Sequence, residues 1–427
     1  MTHRQKLLAV LLTAGLSASS AQTIAIKAGW LIDGKSDSPM QNAIILIEGK
    51  TIKEVGMNVK IPANAKVIDL SNSTVLPGLI DAHTHALLQG DITSEDYDVQ
   101  LLKESIPYRT LRASKALKMS LMNGFTTIRD LETEGAMYAD VDLKKAISNG
   151  VIDGPRMFVV TRALSTTGRY GLSNKEYAWE LRMLKGVQEI TGVDEARRAV
   201  REQISYGADW IKVYADGNYY KTADGIWHST ANFTTDEMNT IGDETKRLRK
   251  KLAAHAVTRD GILYAINAGA SSIEHGTGMD DECVKLMVQK GIYWCPTIYV
   301  EVWVAEGRAA SGNASFKMML DELPARFNKA LKAGVKIAFG TDVGGFDWTE
   351  NQAKEFSYMV KFGMTPIQAI KSATVVAAEL LDMKGKIGEI SAGAFADIVA
   401  VNEDPLNNIS ALERISFVMK EGKVYKQ

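Results

Sequence analysis

The sequence predicts an α/β protein, a (β/α)8 TIM barrel with a small β-sandwich formed by both chain ends. Three observations predict it. Short apolar runs broken by turn dipeptides fill the N-terminal part and return at the C-terminus, eight strand-like runs alternate with helical stretches between them, and four of the six histidines stand where such runs end. The chain has 427 residues, 46% hydrophobic and 24% charged, which excludes disordered and collagen-like classes. A barrel takes about 250 residues, so this length holds one barrel and a smaller domain.

The first 21 residues read as a signal peptide. His3, Arg4 and Lys6 make a basic start, Leu7 to Leu16 an apolar stretch too short to span a bilayer, and Ser19-Ser20-Ala21 a cleavage site of small residues. The mature chain is therefore expected to be periplasmic or secreted, with no membrane span.

Residues 22–75 carry Ile24-Ala25-Ile26, Trp30-Leu31-Ile32, Ile44-Ile45-Leu46-Ile47 and Val67-Ile68, separated by Asp33-Gly34 and Glu48-Gly49-Lys50. The texture recurs in residues 385–427, with Ala396 to Val401, Ile415 to Val418 and then Glu421-Gly422-Lys423. These two segments are expected to pair into the sandwich, and residues 76–384 to form the barrel. The eight expected barrel strands are Val75 to Ala82, Thr126 to Leu131, Arg156 to Val160, Trp210 to Tyr214, Leu252 to His255, Ser272 to His275, Tyr293 to Pro296 and Lys336 to Thr341. Helix-compatible segments lie between them, such as Asp194 to Tyr206, where Ala196, Val200 and Ile204 recur at helical spacing, and Thr235 to Lys251.

A net charge of -1 and the lack of a basic run argue against nucleic acid or an anionic membrane as partner and point to a small molecule. Cys283 and Cys295 belong to no CxxC pair, which argues against a thiolate zinc site. Two readings stand for them: one disulfide in an oxidising compartment, or two buried apolar residues.

The chemistry is concentrated in the histidines. His3 lies in the leader and His228 in a polar insertion, which leaves His83 and His85 after the first strand, His255 ending the fifth and His275 ending the sixth. Catalytic residues collect at that end of such a barrel, so four imidazoles there imply a metal site. The alternation in His83-Thr84-His85 points both rings to one face of a strand. Asp342, after the eighth strand, adds a carboxylate, its other reading being a helix N-cap. Lys212 lies inside the apolar run Trp210-Ile211-Lys212-Val213-Tyr214, where desolvation drives an unpaired amine neutral. A neutral amine reacts with carbon dioxide to give a carbamate, an anionic ligand able to bridge two cations; the other reading is a lysine snorkelling from a strand end.

His83 and His85, Lys212, His255, His275 and Asp342 occur in the order that marks the amidohydrolase superfamily, and nearly the whole mature chain resembles it. Val75 to His85, Ser272-Ile273-Glu274-His275-Gly276 and Gly393 to Val399 are similar to the branch around imidazolonepropionases and Xaa-Pro dipeptidases. That branch hydrolyses dipeptides and N-acyl amino acids and includes ochratoxin-cleaving amidases. The resemblance implies one divalent ion, zinc by preference, on His83, His85 and Asp342, and a second on His255 and His275. N6-carboxylysine at Lys212 and a hydroxide would lie between them, with Asp342 as proton shuttle. It also implies amide hydrolysis and association of copies into a homo-oligomer.

Where relatives show Gly-Gly-His-Gly, this chain reads Thr167-Gly168-Arg169-Tyr170-Gly171. That departure leaves dipeptide specificity open, with Arg169 and Tyr170 as substrate-binding residues or as plain loop residues. Tyr214, Tyr219 and Tyr220 are further residues for the pocket. Hydrolysis of a cyclic, imidazolone-like amide or a lactone is the alternative chemistry, and a periplasmic metal- or ligand-binding protein the non-enzymatic one. N-terminal sequencing of the exported protein should start at Gln22, and an intact Met1 in the native host would contradict the leader.

Overall fold

The computed structural model describes residues 23–170 and 177–427, so the expected leader lies outside the described residues. Both chain ends enter one seven-stranded sheet. Its N-terminal strands are Thr23–Leu31, Met40–Glu48, Thr51–Gly56 and Lys66–Pro77, and its C-terminal ones Ile398–Val401, Phe417–Lys420 and Lys423–Lys426. The ends meet where Ile398–Val401 runs antiparallel to Lys66–Pro77, with Val399 opposite Leu76. At the far edge, Ile52 N–H donates to Ala394 O and Ala396 N–H to Lys50 O, so residues 393–396 cover the Thr51–Gly56 strand. Ile26, Ile45, Ile47, Ile68, Ile398 and Phe417 pack into one core on this sheet, as β-branched and aromatic residues do on a pleated surface.

Residues between these ends form two parallel sheets with helices in the connections. Leu79–Thr84, Phe125–Asp130 and Arg156–Val159 make one. The other runs Lys336–Ile337, Tyr293–Cys295, Ser272–Gly278, Lys251–Thr258, Trp210–Tyr214, Leu164–Thr166, Gln188–Ile190. Backbone bonds span the seams: Ala82 N–H donates to Phe339 O, Asp342 N–H to His83 O, and Asp209 N–H to Val159 O. Local sequence sets the helices. Val193–Tyr206 ends at Gly207, whose φ of 112° only glycine adopts without strain. Thr235–Arg247 starts on a Thr234/Glu237 capping box.

The expected first barrel strand is corrected. Lys66–Pro77 belongs to the terminal sheet, whose ladder with Ile398–Val401 ends in the bond from Gly78 N–H to Asp397 O, and a new strand starts at Leu79, whose N–H turns to Gly124 O beside the Phe125–Asp130 strand. The eighth is also shorter, Lys336–Ile337, since the chain beyond turns up toward Asp342. Two short strands, Leu164–Thr166 and Gln188–Ile190, were not foreseen. The expected polar insertion is a hairpin of Asp216–Lys221 and Trp227–Ala231. Both cysteines are free and buried, which settles the two readings against a disulfide. Among the described residues no helix is long and apolar enough to cross a membrane.

The terminal sheet abuts the N-terminal ends of the parallel strands. Arg156, at the start of its strand, pairs with Asp397 at 2.7 Å and Glu421 at 2.9 Å, and Lys420 Nζ donates to Gly154 O at 2.6 Å. The opposite, C-terminal ends are left open, and every candidate ligand stands there.

Candidate metal centre

The His83 strand and the Asp342 loop are stapled by Asp81. Its Oδ1 accepts His83 N–H and Thr341 N–H, each at 3.1 Å, while its Oδ2 accepts Thr341 Oγ1–H and Gln352 Nε2–H, each at 2.6 Å. Desolvation raises Asp81 to about 6 against these donors. The staple brings Asp342 Oδ1 to 3.0 Å from His85 Nε2 and 3.4 Å from His83 Nε2. Asp342 has φ 62° and no helix starts there, so its N-cap reading is excluded.

The other histidines close the group. The ring of His83 lies 5.0 Å from that of His275, which lies 4.7 Å from that of His255. Ligand atoms of His83, His275 and Asp342 all fall within 4.8 Å of one another. Burial pulls His83 down to about 4 and His275 to about 3, and it holds His255 well below its usual value. These rings are therefore neutral near pH 7, the form that binds cations. Burial also pulls on His85, but the hydrogen bond and charge of Asp342 outweigh it and lift His85 to about 9. Asp342 itself, despite burial, is held far below the usual carboxylate range by His83 and His85.

Two buried ring nitrogens, His83 Nε2 and His85 Nδ1, have no hydrogen-bond partner. A lone pair as desolvated as that of His83 Nε2 is costly unless a cation or proton uses it. For His83 the tautomer is fixed from behind: its Nδ1–H donates to Glu274 Oε2 at 3.0 Å, leaving Nε2 with its lone pair toward Asp342. Glu274 in turn is paired with Arg129 at 2.9 Å, both fully buried. His275 Nδ1 bonds Thr297 Oγ1 at 2.8 Å, and His255 Nε2 bonds Tyr219 OH at 2.8 Å.

Lys212 is buried on the same face of its strand as Trp210 and Tyr214, its Nζ 5.3 Å from the Tyr214 ring centre. It makes no ion pair with an acid among the described residues, unlike the buried Arg129. It lines a cavity of about 710 Å³ together with His85, His255, His275 and Asp342. The donor set therefore fits divalent cations: three imidazoles neutral near pH 7, a fourth, His85, whose proton a cation would replace, one carboxylate, one buried amine and the orphaned lone pair of His83 Nε2.

The structure also places the expected substrate residues. Tyr170 and Tyr214 stack at 3.9 Å, and their hydroxyls donate to Glu134 and Glu132. Arg169 is exposed at the cavity mouth; Tyr219 and the exposed Tyr220 line the same cavity. His228 bonds Asp260 and stands outside it, as expected.

Glu132, Glu134, Glu274, Arg129 and Thr297 escaped the sequence reading. Glu132 and Glu134 follow a strand at its C-terminal end, a signal that was there to be read. Glu274 was hidden by strand alternation, which sends neighbours to opposite faces. The left-handed backbone of His275, φ 67°, turns both Glu274 and His275 toward His83.

The model of the amidohydrolase family matches residues 74–425. The ochratoxinase of Aspergillus niger shares 33% identity over 96% of this chain and 88% of its own. The imidazolonepropionase of Fusobacterium nucleatum shares 25% over 84% of each. Among solved structures, a Xaa-Pro dipeptidase with methionine bound in its active site superposes with a TM-score of 0.85 at 33% identity, covering 95% of this chain and 100% of that one. The Aspergillus niger ochratoxinase structure gives 0.81 at 30%, covering 95% and 96%.

Removing Arg129 strands the Glu274 carboxylate in the interior. Arg129→Met is expected to cost about 3–5 kcal/mol of stability, read as a lower urea midpoint, and Arg129→Met with Glu274→Gln less than that. An unchanged midpoint in the single variant would contradict the buried pair.

Proposed function

This chain belongs to the amidohydrolase family, and from that membership we propose that it is a binuclear metal hydrolase cleaving the amide bond of a dipeptide or N-acyl amino acid. The observation that carries the reading is the convergence of His85, His255, His275, Asp342 and the acid-free buried amine of Lys212 on one cavity, with His83 Nε2 buried 3.4 Å from Asp342 behind its wall. The two parallel sheets are read as one closed (β/α)8 barrel from Leu79 to residue 384, and the terminal sheet as a sandwich-like domain of residues 22–77 and 385–427, which moves the expected boundary from 75 to 77. With its leader removed, the chain is proposed to act in the periplasm or outside the cell.

One cation would be held by His83, His85 and Asp342, the other by His255 and His275, with carboxylated Lys212 as a ligand shared by both. Bound divalent cations, zinc for this imidazole-rich set, supply Lewis acidity that polarises the scissile carbonyl and makes water nucleophilic near neutral pH. The chain's own groups do the rest. Asp342, ionised and reaching the cavity with a side chain 16% exposed, accepts a proton from the attacking water. As the water oxygen bonds to the carbonyl carbon and the C–N bond breaks, Asp342 passes that proton to the leaving nitrogen. Tyr219, which bonds His255, would hydrogen-bond the substrate, and Arg169, Tyr170 and Tyr214, which line the same cavity, would form the wall beside it. A cavity of about 710 Å³ suits a substrate of dipeptide size. A bound methionine in the similar Xaa-Pro dipeptidase and the ochratoxinase relative support an amino-acid leaving group.

A panel of dipeptides, N-acyl amino acids and lactones, assayed with the purified mature chain, should give turnover on the first two classes. Chelation should abolish it and zinc restore it. Lys212→Ala is expected to lower activity and metal affinity together by more than about 100-fold, beyond what losing a ligand's own partner costs, with part of the activity restored by a short carboxylic acid. A fully active Lys212→Ala variant, or reconstitution indifferent to bicarbonate, would sink the carbamate.

A further inference from the structure

Glu355 lies on the helix Lys354–Lys361, outside the cavity wall, and is fully buried. Its two carboxylate oxygens do one thing. Oε1 accepts Ile298 N–H at 2.8 Å and Oε2 accepts Tyr299 N–H at 2.7 Å. These are the first two amides of the helix Ile298–Ala310, which no carbonyl within that helix can reach.

The residue that would ordinarily satisfy such amides is the N-cap, and threonine is a good one. Here the N-cap is Thr297, yet its side chain caps nothing. Its backbone is left-handed, φ 46°, a conformation that a β-branched residue adopts only under constraint. The hydroxyl so turned bonds His275 Nδ1 at 2.8 Å. Glu355 thus takes over the capping of the helix and leaves the Thr297 hydroxyl for the histidine. When that hydroxyl accepts Nδ1–H, the lone pair of His275 stands on Nε2. The same helix presents Val300, Glu301, Val304 and Arg308 to the cavity, so its start fixes the wall as well.

We propose that Glu355 is a positioning residue for the metal centre: by capping the Ile298–Ala310 helix from outside, it holds Thr297 in the strained turn that orients His275. The role rests on the reading of His275 as a cation ligand. It predicts that Glu355 acts through Thr297, so the two residues form one device and not two.

The test is a double-mutant cycle on zinc affinity, read by equilibrium dialysis of the purified chain. Glu355→Gln keeps the size but turns an amide N–H2 toward a backbone donor, and Thr297→Val removes the hydroxyl while keeping the shape. Each variant should weaken one of the two zinc equivalents by about 10- to 100-fold and leave the other, and the double variant should lose no more than either. Thr297→Ser, which restores the hydroxyl, should bind as the wild type does. Additive losses, equal weakening of both equivalents, or no change would overturn the proposal. Should Glu355→Gln not fold, Glu355→Asp, which keeps the carboxyl group at a shorter reach, enters the same cycle with the same outcomes. A wild-type chain that takes up no zinc would overturn the metal reading itself. The coupling would then be read without metal from the ¹⁵N shifts of His275: the wild type should hold the Nδ1-protonated tautomer and both variants lose it, and identical shifts would overturn the proposal.

Discussion

A carboxylate that stays ionised in the interior is the constraint on which the site depends. Burial alone would push Glu274 up; Arg129 and His83 outweigh it and hold Glu274 well below the usual carboxylate range. Arg129 is itself fully enclosed, bonded to Ala82 O at 2.7 Å and Ser272 Oγ at 3.0 Å, and stacked 4.6 Å above Trp210. The guanidinium therefore ties the first, fourth and sixth strands of the expected barrel to one point. What emerges from that point is a single imidazole, His83, with its proton committed to Glu274 and its other nitrogen toward Asp342. Charge is buried here because it orients a ring, and the ion pair would be a poor choice for stability alone.

Backbone strain completes what charge begins. His275, Thr297 and Asp342 all have positive φ, at 67°, 46° and 62°; His275 lies midway along its strand, and the other two follow strands at their C-terminal ends. Each such residue costs on the order of 1–3 kcal/mol and persists only where its surroundings over-determine it. Asp81 supplies that surrounding for Asp342, and Glu355 for Thr297. The parallel strands act as the rigid frame, and the turns just beyond them aim the side chains. The mixed terminal sheet at the other end shields the N-terminal ends of the strands and leaves this face free.

Much of this was legible in the amino-acid order because strand alternation and histidine placement are local signals. His83, His85, Lys212, His255, His275 and Asp342 could be named from their positions at the ends of apolar runs, and all of them line or close one site. The boundary at Gly78 was not legible, since Val75 to Ile80 is an unbroken apolar run and only a change of partner splits it, residues 74–77 pairing with Ile398–Val401 from far along the chain and Leu79 with Phe125. Glu274, Thr297 and Glu355 were hidden for the same kind of reason. Their roles arise from left-handed turns and from partners on other elements, neither of which leaves a periodic trace. Arg129 looked like one charged residue at the end of a strand, and only its enclosure shows what it holds.

The central claim is that the cavity holds two cations linked through a carboxylated Lys212. Diffraction from crystals of the zinc-loaded mature chain, collected at the zinc absorption edge, tests it most directly. The account predicts two anomalous peaks per chain, one beside His83, His85 and Asp342 and one beside His255 and His275, with density continuing from Lys212 Nζ to a carboxylate between them. A single peak, or a bare amine at Lys212 with both peaks present, would contradict it.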